Sequence, residues 1–297
     1  MIAAVRIGSL ALAHRVLNGS GTFDAIAAHR AFGDALNDDF PFAAFVSKTI
    51  TPERRVGNPP PRLHETPSGM INSIGLPNKG LDGFLAQDLP RLARLPVPLI
   101  VSVMATDRDG FDRLVRGVAE RDEVAALELN VSCPNVKSGL IVGEEPSETL
   151  ALVESLRPLT AKPLIVKLTP NTSAPEAVAV AAERGGADAV SLINTLKATA
   201  LDPVTNEPGL GAGSGGLSGP AVRAIALEQA RRVAASVAIP VIGMGGIETG
   251  ADARAFLLSG AAAVAVGTAN FTDPGAAKRI RLELETLPDV TSPLHLN

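Results

Sequence analysis

The sequence of 297 residues predicts an α/β protein built as one (β/α)8 TIM barrel that spans residues 1–297. Short apolar strands alternate with longer helices about eight times. No linker or change of composition divides the chain, and each predicted strand ends at or within two residues of a Gly, Ser, Asn, Thr or Lys. Alternating strands and helices are typical of parallel sheets, and about 250 residues of this pattern favour a closed barrel over two doubly wound sheets. The active site of such a barrel lies at the carboxyl ends of its strands.

Hydrophobic periodicity assigns the elements of this barrel in order. The expected strands are at 15–21, 42–50, 98–104, 125–132, 163–168, 189–194, 240–243 and 263–266. The expected helices are at 23–36, 76–95, 107–121, 147–156, 174–185, 220–237, 250–258 and 279–287. Before the first barrel strand, the alternation of apolar and polar residues over 5–12 indicates a small hairpin. Residues 51–75 hold many Pro, Gly and Asn residues, residues 211–219 are rich in glycine, and both stretches are expected to form inserted loops at the carboxyl face.

The composition is that of a soluble globular protein. Hydrophobic residues make up 46% of the chain and charged residues 20%, which excludes a disordered protein. The net charge of -4 and the lack of a dense Lys/Arg block argue against nucleic-acid binding. The single cysteine cannot form an internal disulfide, no leader peptide is recognisable, and no apolar run reaches the ~18 residues of a membrane span. A cytoplasmic protein that does not contact membranes is therefore expected.

Two glycine-rich turns follow the seventh and eighth predicted strands. They are Gly243-Met244-Gly245-Gly246-Ile247 and Gly267-Thr268-Ala269-Asn270. Glycine has no Cβ and lets backbone N–H groups approach a phosphate closely, and barrels commonly bind phosphate after strands 7 and 8. A phosphorylated ligand is one interpretation, and glycines that serve only the turns themselves are the other. No Gly-x-Gly-x-x-Gly follows the first strand, so a Rossmann dinucleotide site is not indicated.

Polar side chains are expected to converge from several strand ends. Lys48 and Lys167 lie at or near the ends of otherwise apolar strands, where two lysines suit an anionic ligand or are simply exposed at a strand terminus. Comparable positions hold four asparagines, Asn72, Asn130, Asn135 and Asn194. An amide donates and accepts hydrogen bonds at once, so several together suit a flat heterocycle with carbonyl and N–H groups. One asparagine alone is more often a turn residue.

Cys133 lies in the polar turn Ser132-Cys133-Pro134-Asn135 after a buried strand. A lone cysteine in a cytosolic protein is usually an inert small hydrophobe. A nucleophilic role would need a histidine, and all four histidines lie away from the strand ends. A metal site has even less support than a nucleophilic role, because the chain has no second cysteine and no histidine cluster. General base catalysis, the removal of a carbon-bound proton, is the role that survives.

These residues resemble the dihydroorotate dehydrogenases, and the similarity extends over nearly the whole chain. The signature is Asn130-Val131-Ser132-Cys133-Pro134-Asn135. Further matching stretches are Lys48-Thr49-Ile50-Thr51, Gly57-Asn58-Pro59-Pro60-Pro61-Arg62, Asn72-Ser73-Ile74-Gly75-Leu76, Lys167-Leu168-Thr169-Pro170-Asn171, Ile193-Asn194-Thr195, Gly216-Leu217-Ser218-Gly219-Pro220 and the two glycine turns. The chain has a cysteine at the position of the base, where the membrane-bound class has a serine. In this it resembles the soluble class 1 enzymes.

The resemblance implies FMN-dependent oxidation of dihydroorotate to orotate in de novo pyrimidine synthesis, without a metal. By this analogy, Cys133 takes a proton from C5 of the substrate while a hydride passes from C6 to flavin N5. The residues implied to bind substrate are Lys48, Asn72, Ser73, Ile74, Gly75, Leu76, Asn130, Asn135, Asn194 and Thr195. Those implied to bind FMN are Ser20, Gly21, Lys48, Thr49, Asn130, Lys167, Ile193, Gly219, Gly245, Gly246, Gly267 and Thr268. Lys167 would lie near the N1–C2 edge of the flavin, where its charge stabilises the reduced anion.

Within class 1, the Gly-Leu-Ser-Gly-Pro run, the Lys-Thr-Ile-Thr stretch and the Gly-Met-Gly-Gly turn are most similar to the NAD-linked class 1B enzymes. That form pairs the barrel with a second subunit carrying FAD and a [2Fe–2S] cluster, which a chain with one cysteine cannot bind itself. The resemblance therefore implies a homodimer that forms a heterotetramer with its partner. Ser138-Gly139-Leu140 departs from the family pattern of one residue followed by two glycines, and residues 72–78 mix traits of both soluble subclasses.

Three other functions are weighed against this one. A fumarate-linked class 1A enzyme would use the same site with a different oxidant. A dihydropyrimidine (uracil or thymine) dehydrogenase-like barrel shares the Asn-x-Ser-Cys-Pro-Asn pattern, but only dihydroorotate needs a carboxylate pocket near Lys48. A non-catalytic phosphate-binding barrel is disfavoured by the intact Cys133 and asparagine set.

Overall fold

A computed structural model describes residues 5–132, 142–202 and 204–287. Its strands are β1 (Val5–Ile7), β2 (Leu10–Leu12), β3 (Val16–Asn18), β4 (Phe45–Val46), β5 (Leu63–Thr66), β6 (Gly69–Asn72), β7 (Leu99–Val103), β8 (Val124–Asn130), β9 (Leu164–Lys167), β10 (Ala189–Leu192), β11 (Leu196–Ala198), β12 (Gly215–Ser218), β13 (Val241–Met244) and β14 (Ala263–Val266). Its α-helices are α1 (Ala25–Phe32), α2 (Ala35–Asp38), α3 (Gly80–Gly83), α4 (Leu89–Leu92), α5 (Arg108–Ala119), α6 (Pro146–Leu156), α7 (Pro175–Arg184), α8 (Arg223–Ala234), α9 (Gly250–Leu258), α10 (Ala269–Thr272) and α11 (Ala276–Thr286). A π-helical turn at Phe84–Asp88 joins α3 to α4.

Within these residues, eight strands form one parallel sheet in the order β3-β14-β13-β10-β9-β8-β7-β4. Except for Ala125, every residue of these strands is buried, as in a barrel whose outer face is covered by helices. This architecture confirms the predicted barrel, and most helices begin and end within a few residues of their expected bounds. Several elements are shorter than expected, and the largest differences are in two of them. The strand predicted at 42–50 is only β4, and the helical segment predicted from residue 76 begins at Gly80, after Pro77 and the turn residue Asn78.

The predicted N-terminal hairpin, β1 and β2, closes the end of the barrel opposite the strand carboxyl ends. Its inward residues Val5, Ile7, Leu10 and Leu12 pack into one buried cluster with the side chains that point into the barrel, among them Leu17. The hairpin therefore excludes water from the barrel interior and leaves the carboxyl face as the accessible end. None of the helices in the described part of the chain has the length and hydropathy that a transmembrane segment requires.

The two outer strands of the sheet, β3 and β4, are joined through a side chain. Asn18 at the end of β3 is fully buried, and its amide donates to the carbonyl of Val46 at 2.8 Å while its carbonyl accepts the Val46 N–H at 2.8 Å. An asparagine amide thus replaces the missing backbone ladder and satisfies both polar groups of Val46. We call this junction between β3 and β4 the seam of the barrel.

Replacing Asn18 with leucine is expected to lower the free energy of unfolding by about 2–4 kcal/mol. The substitution leaves the buried N–H and C=O of Val46 without partners, and each such group costs about 1–3 kcal/mol. Urea unfolding followed by circular dichroism measures the change. An unfolding midpoint equal to that of the wild type would contradict the assignment of barrel closure to this side chain.

A second sheet covers the carboxyl face and was not predicted. It has the order β11-β12-β6-β5, with antiparallel pairs, so residues 63–72 and 215–218 are strands where loops were expected. These strands are three or four residues long and mostly half-buried. Their pairing joins residues as far apart as Gly216 and Asn72. Local periodicity carries little signal for such short strands, because their stability comes from contacts distant in sequence.

Candidate active site

A cavity of about 540 Å³ opens at the carboxyl ends of the barrel strands. Its walls come from residues that end or follow all eight barrel strands, and the small sheet lines one side. The volume lies in the range of about 300–1,000 Å³ that is typical of small-molecule sites. We call it the active cavity.

The structure brings nearly all of the residues named from the sequence to this one cavity. Those that line it are Ser20, Gly21, Lys48, Thr49, Asn72, Ser73, Ile74, Gly75, Leu76, Asn130, Lys167, Ile193, Asn194, Thr195, Gly219, Gly245, Gly246, Gly267 and Thr268. The remaining two, Cys133 and Asn135, lie outside the described residues, as does the departure at 138–140. Ser132, which precedes Cys133 in the chain, lines the cavity.

Lys48 reaches the active cavity from the segment that follows β4. Its side chain lies against Gly21, where a Cβ would come within 3.2 Å of Nζ. Gly21 has φ +73°, a left-handed conformation that glycine adopts without strain. Burial lowers the pKa of Lys48 below its usual 10.5, because removal from water disfavours the charged ammonium. No acidic side chain among the described residues offsets this effect, so the ammonium is available to an anionic ligand.

Amide side chains from neighbouring strands meet at one end of the cavity. The amide nitrogen of Asn194 donates to Ser132 Oγ at 2.8 Å and lies 3.4 Å from Asn130 Oδ1. The carbonyl of Asn194 accepts the backbone N–H of Thr195 at 2.9 Å, which fixes the orientation of this amide. Asn72 donates to the carbonyl of Gly216 on the small sheet at 3.2 Å. These bonds hold the amides in place before a ligand binds, which suits recognition of a planar ring with several carbonyl and N–H groups.

Lys167 ends β9 and is only 7% exposed. In the sheet it lies beside Asn130 of β8 and Ser191 of β10. Ser191 Oγ donates at 3.0 Å to Glu128, a buried carboxylate whose second oxygen has no hydrogen-bond partner among the described residues. A buried ammonium is stabilised by electron-rich partners. Lys167 therefore favours a ligand that presents a carbonyl or anionic oxygen to the inner end of the cavity.

The turn after β13 has the properties of a phosphate cradle. Gly245 and Gly246 have φ values of +134° and +69°. A Cβ on Gly245 would come within 2.6 Å of the Ala226 Cβ, and one on Gly246 within 2.7 Å of the Gly219 carbonyl. The backbone N–H groups of Gly245 and Gly246 find no acceptor in the described part of the chain. Free N–H groups in a glycine turn are typical of anion sites.

Arg223 supports this turn from behind, and the sequence did not indicate that role. Its Nε donates to the Gly246 carbonyl at 2.6 Å, and its guanidinium pairs with Asp252 at 2.8 Å and Glu248 at 3.4 Å. Asp252 in turn forms the capping box of α9 with Thr249. The carbonyl of Gly246 is thereby held away from the cavity while its N–H stays free. No sequence motif marks Arg223, because its role depends on contacts with residues more than twenty positions away.

Other lining residues were also missed. They are Gly19, Thr22, Arg55, Asn58, Leu63, Met70, Met104, Leu217, Ser218, Val222, Met244 and Phe271. Several belong to the small sheet or the segment before it, which the sequence indicated only as loops. The pair Gly215-Gly216 was the signal in the sequence that could have indicated this sheet. A Cβ on Gly216 would lie 1.9 Å from Thr195 Oγ1 and would prevent the close approach of the sheet to the site. Within the described residues, no group of three or more His, Cys, Asp or Glu side chains could hold a metal ion.

Comparisons with known proteins agree on one family. A family model described as "Dihydroorotate dehydrogenase" matches residues 3–287. A protein of Desulforudis audaxviator called "Dihydroorotate dehydrogenase B (NAD(+)), catalytic subunit" is 47% identical over 95% of this chain and 91% of its own length. A protein of Geotalea uraniireducens with the same name is 43% identical over 95% of this chain and 92% of its own length.

Two further comparisons concern the oxidant and the fold. A protein of Solibacter usitatus called "Putative dihydroorotate dehydrogenase A (fumarate)" is 45% identical over 95% of this chain and 91% of its own length. A solved structure of the Eimeria tenella enzyme, titled "Crystal structure of DHODH in complex with ferulenol", superposes with a TM-score of 0.75 at 23% identity. It covers 95% of this chain and 83% of the other, and at this identity it supports the fold alone.

Proposed function

The chain belongs to the dihydroorotate dehydrogenase family, and we propose that it works with FMN in the active cavity and Cys133 as general base. The protein is an oxidoreductase that oxidises dihydroorotate to orotate. The family is flavin-dependent. The convergence of the two lysines, the ordered asparagines and the glycine turns on one cavity carries the proposal. The whole chain acts as one barrel domain in the cytoplasm, an inference supported by its unbroken strand–helix alternation and its single cysteine.

The residues of the active cavity fit FMN. The free N–H groups of the Gly245-Gly246 turn suit its phosphate. Lys167 suits the pyrimidine edge of the flavin ring, where it stabilises negative charge on the reduced form. The buried hydroxyl of Ser218 has no partner among the described residues and lines the same cavity, so it is available to the ligand. When bound, FMN supplies the acceptor for the hydride that leaves the substrate.

The substrate is held by the amide end of the cavity. Lys48 pairs with its carboxylate, and the side chains of Asn72, Asn130 and Asn194 bond to the carbonyl and N–H groups of its ring. Asn135 is proposed to complete this set from the segment outside the described residues. The thiolate of Cys133 removes the C5 proton, since a general base must lie within hydrogen-bond reach of the proton that it takes. Ser132, the adjacent residue, lies in the cavity wall and supports this placement.

The proposal predicts a yellow protein whose visible absorbance bleaches when dihydroorotate is added without oxygen. Dihydrouracil, which lacks the carboxylate, is the matched control and is expected to bleach the protein far more slowly. Purified protein that is colourless and neither retains nor responds to FMN would contradict the cofactor assignment. Faster bleaching with dihydrouracil would favour the dihydropyrimidine dehydrogenase-like alternative.

The electron acceptor is proposed to be NAD, reached through a second subunit that carries FAD and a [2Fe–2S] cluster. The names of the Desulforudis and Geotalea relatives, each a "catalytic subunit" of an NAD enzyme, support this choice, and the Solibacter relative supports fumarate as the alternative. Leu63 and Phe271, each 51% exposed, offer a partner an apolar surface at the cavity wall. The barrel itself is proposed to form a homodimer, giving a heterotetramer. Purified protein alone is expected to reduce neither NAD nor fumarate, and direct fumarate reduction would overturn this proposal.

Binding of orotate, the product, is expected to weaken at alkaline pH because Lys48 loses its charge. Burial lowers the pKa of Lys48 below its usual 10.5 in the folded protein, so the ammonium is lost as pH rises through that lowered value, earlier than it would be for an exposed lysine. Titration of the flavin absorbance with orotate at several pH values measures the dissociation constant without any chemical step. The Lys48→Arg variant, whose charge persists, is expected to show a flat profile. A wild-type profile as flat as that of the variant would contradict the assignment.

Replacing Arg223 with glutamine is expected to weaken FMN binding by about 10-fold or more, since one charge-assisted bond is worth about 1.5–3 kcal/mol. Loss of the guanidinium frees the Gly246 carbonyl to turn toward the phosphate. Fluorescence titration of the apoprotein with FMN measures this change, and the kcat of FMN-saturated enzyme is expected to stay near the wild-type value. Arg231→Gln, which alters an exposed pair on the same helix, is the control. Equal FMN affinity in the two variants would contradict the positioning role.

A further inference from the structure

A second cavity lies at the seam of the barrel, outside the active cavity. Its volume is about 950 Å³, and it lies between α1 and the helical segment from Gly80 to Leu92. These two helical elements follow β3 and β4, the strands whose junction is bridged by the Asn18 side chain. We call it the seam cavity. Its volume is within the range of about 300–1,000 Å³ for ligand sites.

The seam cavity combines an apolar floor with a basic rim. Phe23, Phe45, Phe84 and Leu92 supply apolar surface, and the last three are almost fully buried. The basic residues that line it are Arg30, Lys48, Arg54, Arg55, Lys79 and Arg91, against two acidic residues, Asp24 and Asp88. The whole chain has a net charge of -4. Positive charge is therefore concentrated at this cavity, where it attracts anions.

Most of this positive charge is not neutralised by the protein. Lys79 pairs with Asp88, and the Asp24 carboxylate caps α1 through the Ala27 N–H. The side chains of Arg30, Arg54, Arg55 and Arg91, by contrast, have no hydrogen-bond acceptor or acidic partner in the described ranges. A smaller hollow of about 260 Å³ adjoins the cavity and adds His29 and Arg94 to the same rim. Arginine presents paired N–H donors that match phosphate and carboxylate oxygens.

We propose that the seam cavity binds an aromatic anion of mononucleotide size. Its phosphate would pair with Arg30 and Arg91 on the rim, and its ring would pack on Phe23, the half-buried aromatic side chain of the cavity wall. The planar guanidinium of arginine can bind a phosphate through two parallel hydrogen bonds, and aromatic side chains offer a flat apolar surface to a heterocycle. The exposed amide of Gln87, which also lines the cavity, is available to the polar edge of that ring.

Binding at the seam is coupled to the active cavity through shared residues. Gly21, Lys48 and Arg55 line both cavities. An anion in the seam cavity draws the Lys48 ammonium toward itself and so reduces its attraction for the carboxylate in the active cavity. The coupling is reciprocal, because each ligand changes the affinity of the other by the same factor. The expected effect on the active cavity rests on the proposed role of Lys48, whereas ligand binding in the seam cavity does not.

Calorimetric titration of the FMN-loaded protein with AMP, CMP, GMP and UMP, each alone, tests binding. At least one nucleotide is expected to bind with a dissociation constant below about 1 mM. Arg30→Gln/Arg91→Gln is expected to weaken that binding by about 10-fold or more through the loss of two charge-assisted contacts. Arg121→Gln/Arg184→Gln, which removes two exposed charges elsewhere, is expected to leave it unchanged. Neither pair touches the active cavity, so dihydroorotate oxidation is expected to continue at the wild-type rate in both.

Three outcomes would overturn the proposal: no nucleotide binds, the Arg30/Arg91 pair binds as tightly as the wild type, or inorganic phosphate binds as tightly as the nucleotides. The last result would show that the aromatic floor contributes nothing. A bound nucleotide is further expected to raise the dissociation constant of orotate at least about twofold. The nucleotide titration contains no dihydroorotate, so its result does not depend on whether the flavin bleaches with that substrate.

Discussion

Replacing Cys133 with alanine is expected to slow bleaching of the flavin by dihydroorotate by about 10²–10⁴-fold at neutral pH, the usual contribution of a positioned general base. The flavin should remain bound, because none of the residues proposed to hold FMN is altered. In the wild type, the bleaching rate is expected to rise with pH as the thiol, with an ordinary pKa of about 8.5, becomes a thiolate. Anaerobic stopped-flow absorbance measures both the rate and its pH dependence.

The Cys133→Ser variant is the matched control for this prediction. A hydroxyl occupies nearly the same volume but ionises far less readily than a thiol. Its rate is therefore expected to be low at neutral pH and to recover as pH rises, whereas the alanine variant should stay slow. An alanine variant that bleaches at the wild-type rate across this pH range would exclude Cys133 as the base.

Replacing Lys167 with glutamine is expected to make the reduction potential of the bound flavin more negative and to slow its bleaching by about 10²–10³-fold. Removal of one donor that stabilises developing negative charge has effects of this size in other enzymes. Lys167 is 7% exposed at the inner end of the active cavity, where little water is present to replace its charge. Spectroelectrochemical titration measures the potential, and stopped-flow absorbance measures the rate.

Lys278→Gln is the control for the loss of a lysine charge, since Lys278 lies on α11 and pairs with Asp39 at the surface. Its potential and rate are expected to match those of the wild type. Thermal unfolding of both variants separates a change of chemistry from a loss of folded protein. A normal potential in folded, FMN-loaded Lys167→Gln protein would contradict the proposed place of this lysine.

The barrel was predictable because its signals are local. Each barrel strand is a short apolar run, each helix has its own periodicity, and their alternation admits few topologies. The active cavity was predictable for the same reason, since the carboxyl ends of parallel strands must meet. Lys48, Lys167, Asn130 and Asn194 end or follow apolar strands in the sequence and lie together in the structure. The chemical roles of these residues remain proposals that the experiments above test.

Features formed by contacts distant in sequence were not predictable. The small sheet pairs Gly216 with Asn72, and Arg223 holds the carbonyl of Gly246. Neither contact leaves a repeating pattern in the residues around it. The seam cavity is of the same kind, because Arg30 and Arg91 become neighbours only when two helices pack beside β3 and β4.

The sequence by itself determined the barrel, the end of the barrel that carries the site, and the chemical types that gather there. Those properties depend on the order of apolar and polar residues along each element. Only the tertiary structure decided how the barrel closes through Asn18, what covers its carboxyl face, and that a second basic cavity borders Lys48. Burial and pairing of a polar group depend on every element packed around it, and no single stretch of sequence contains that information.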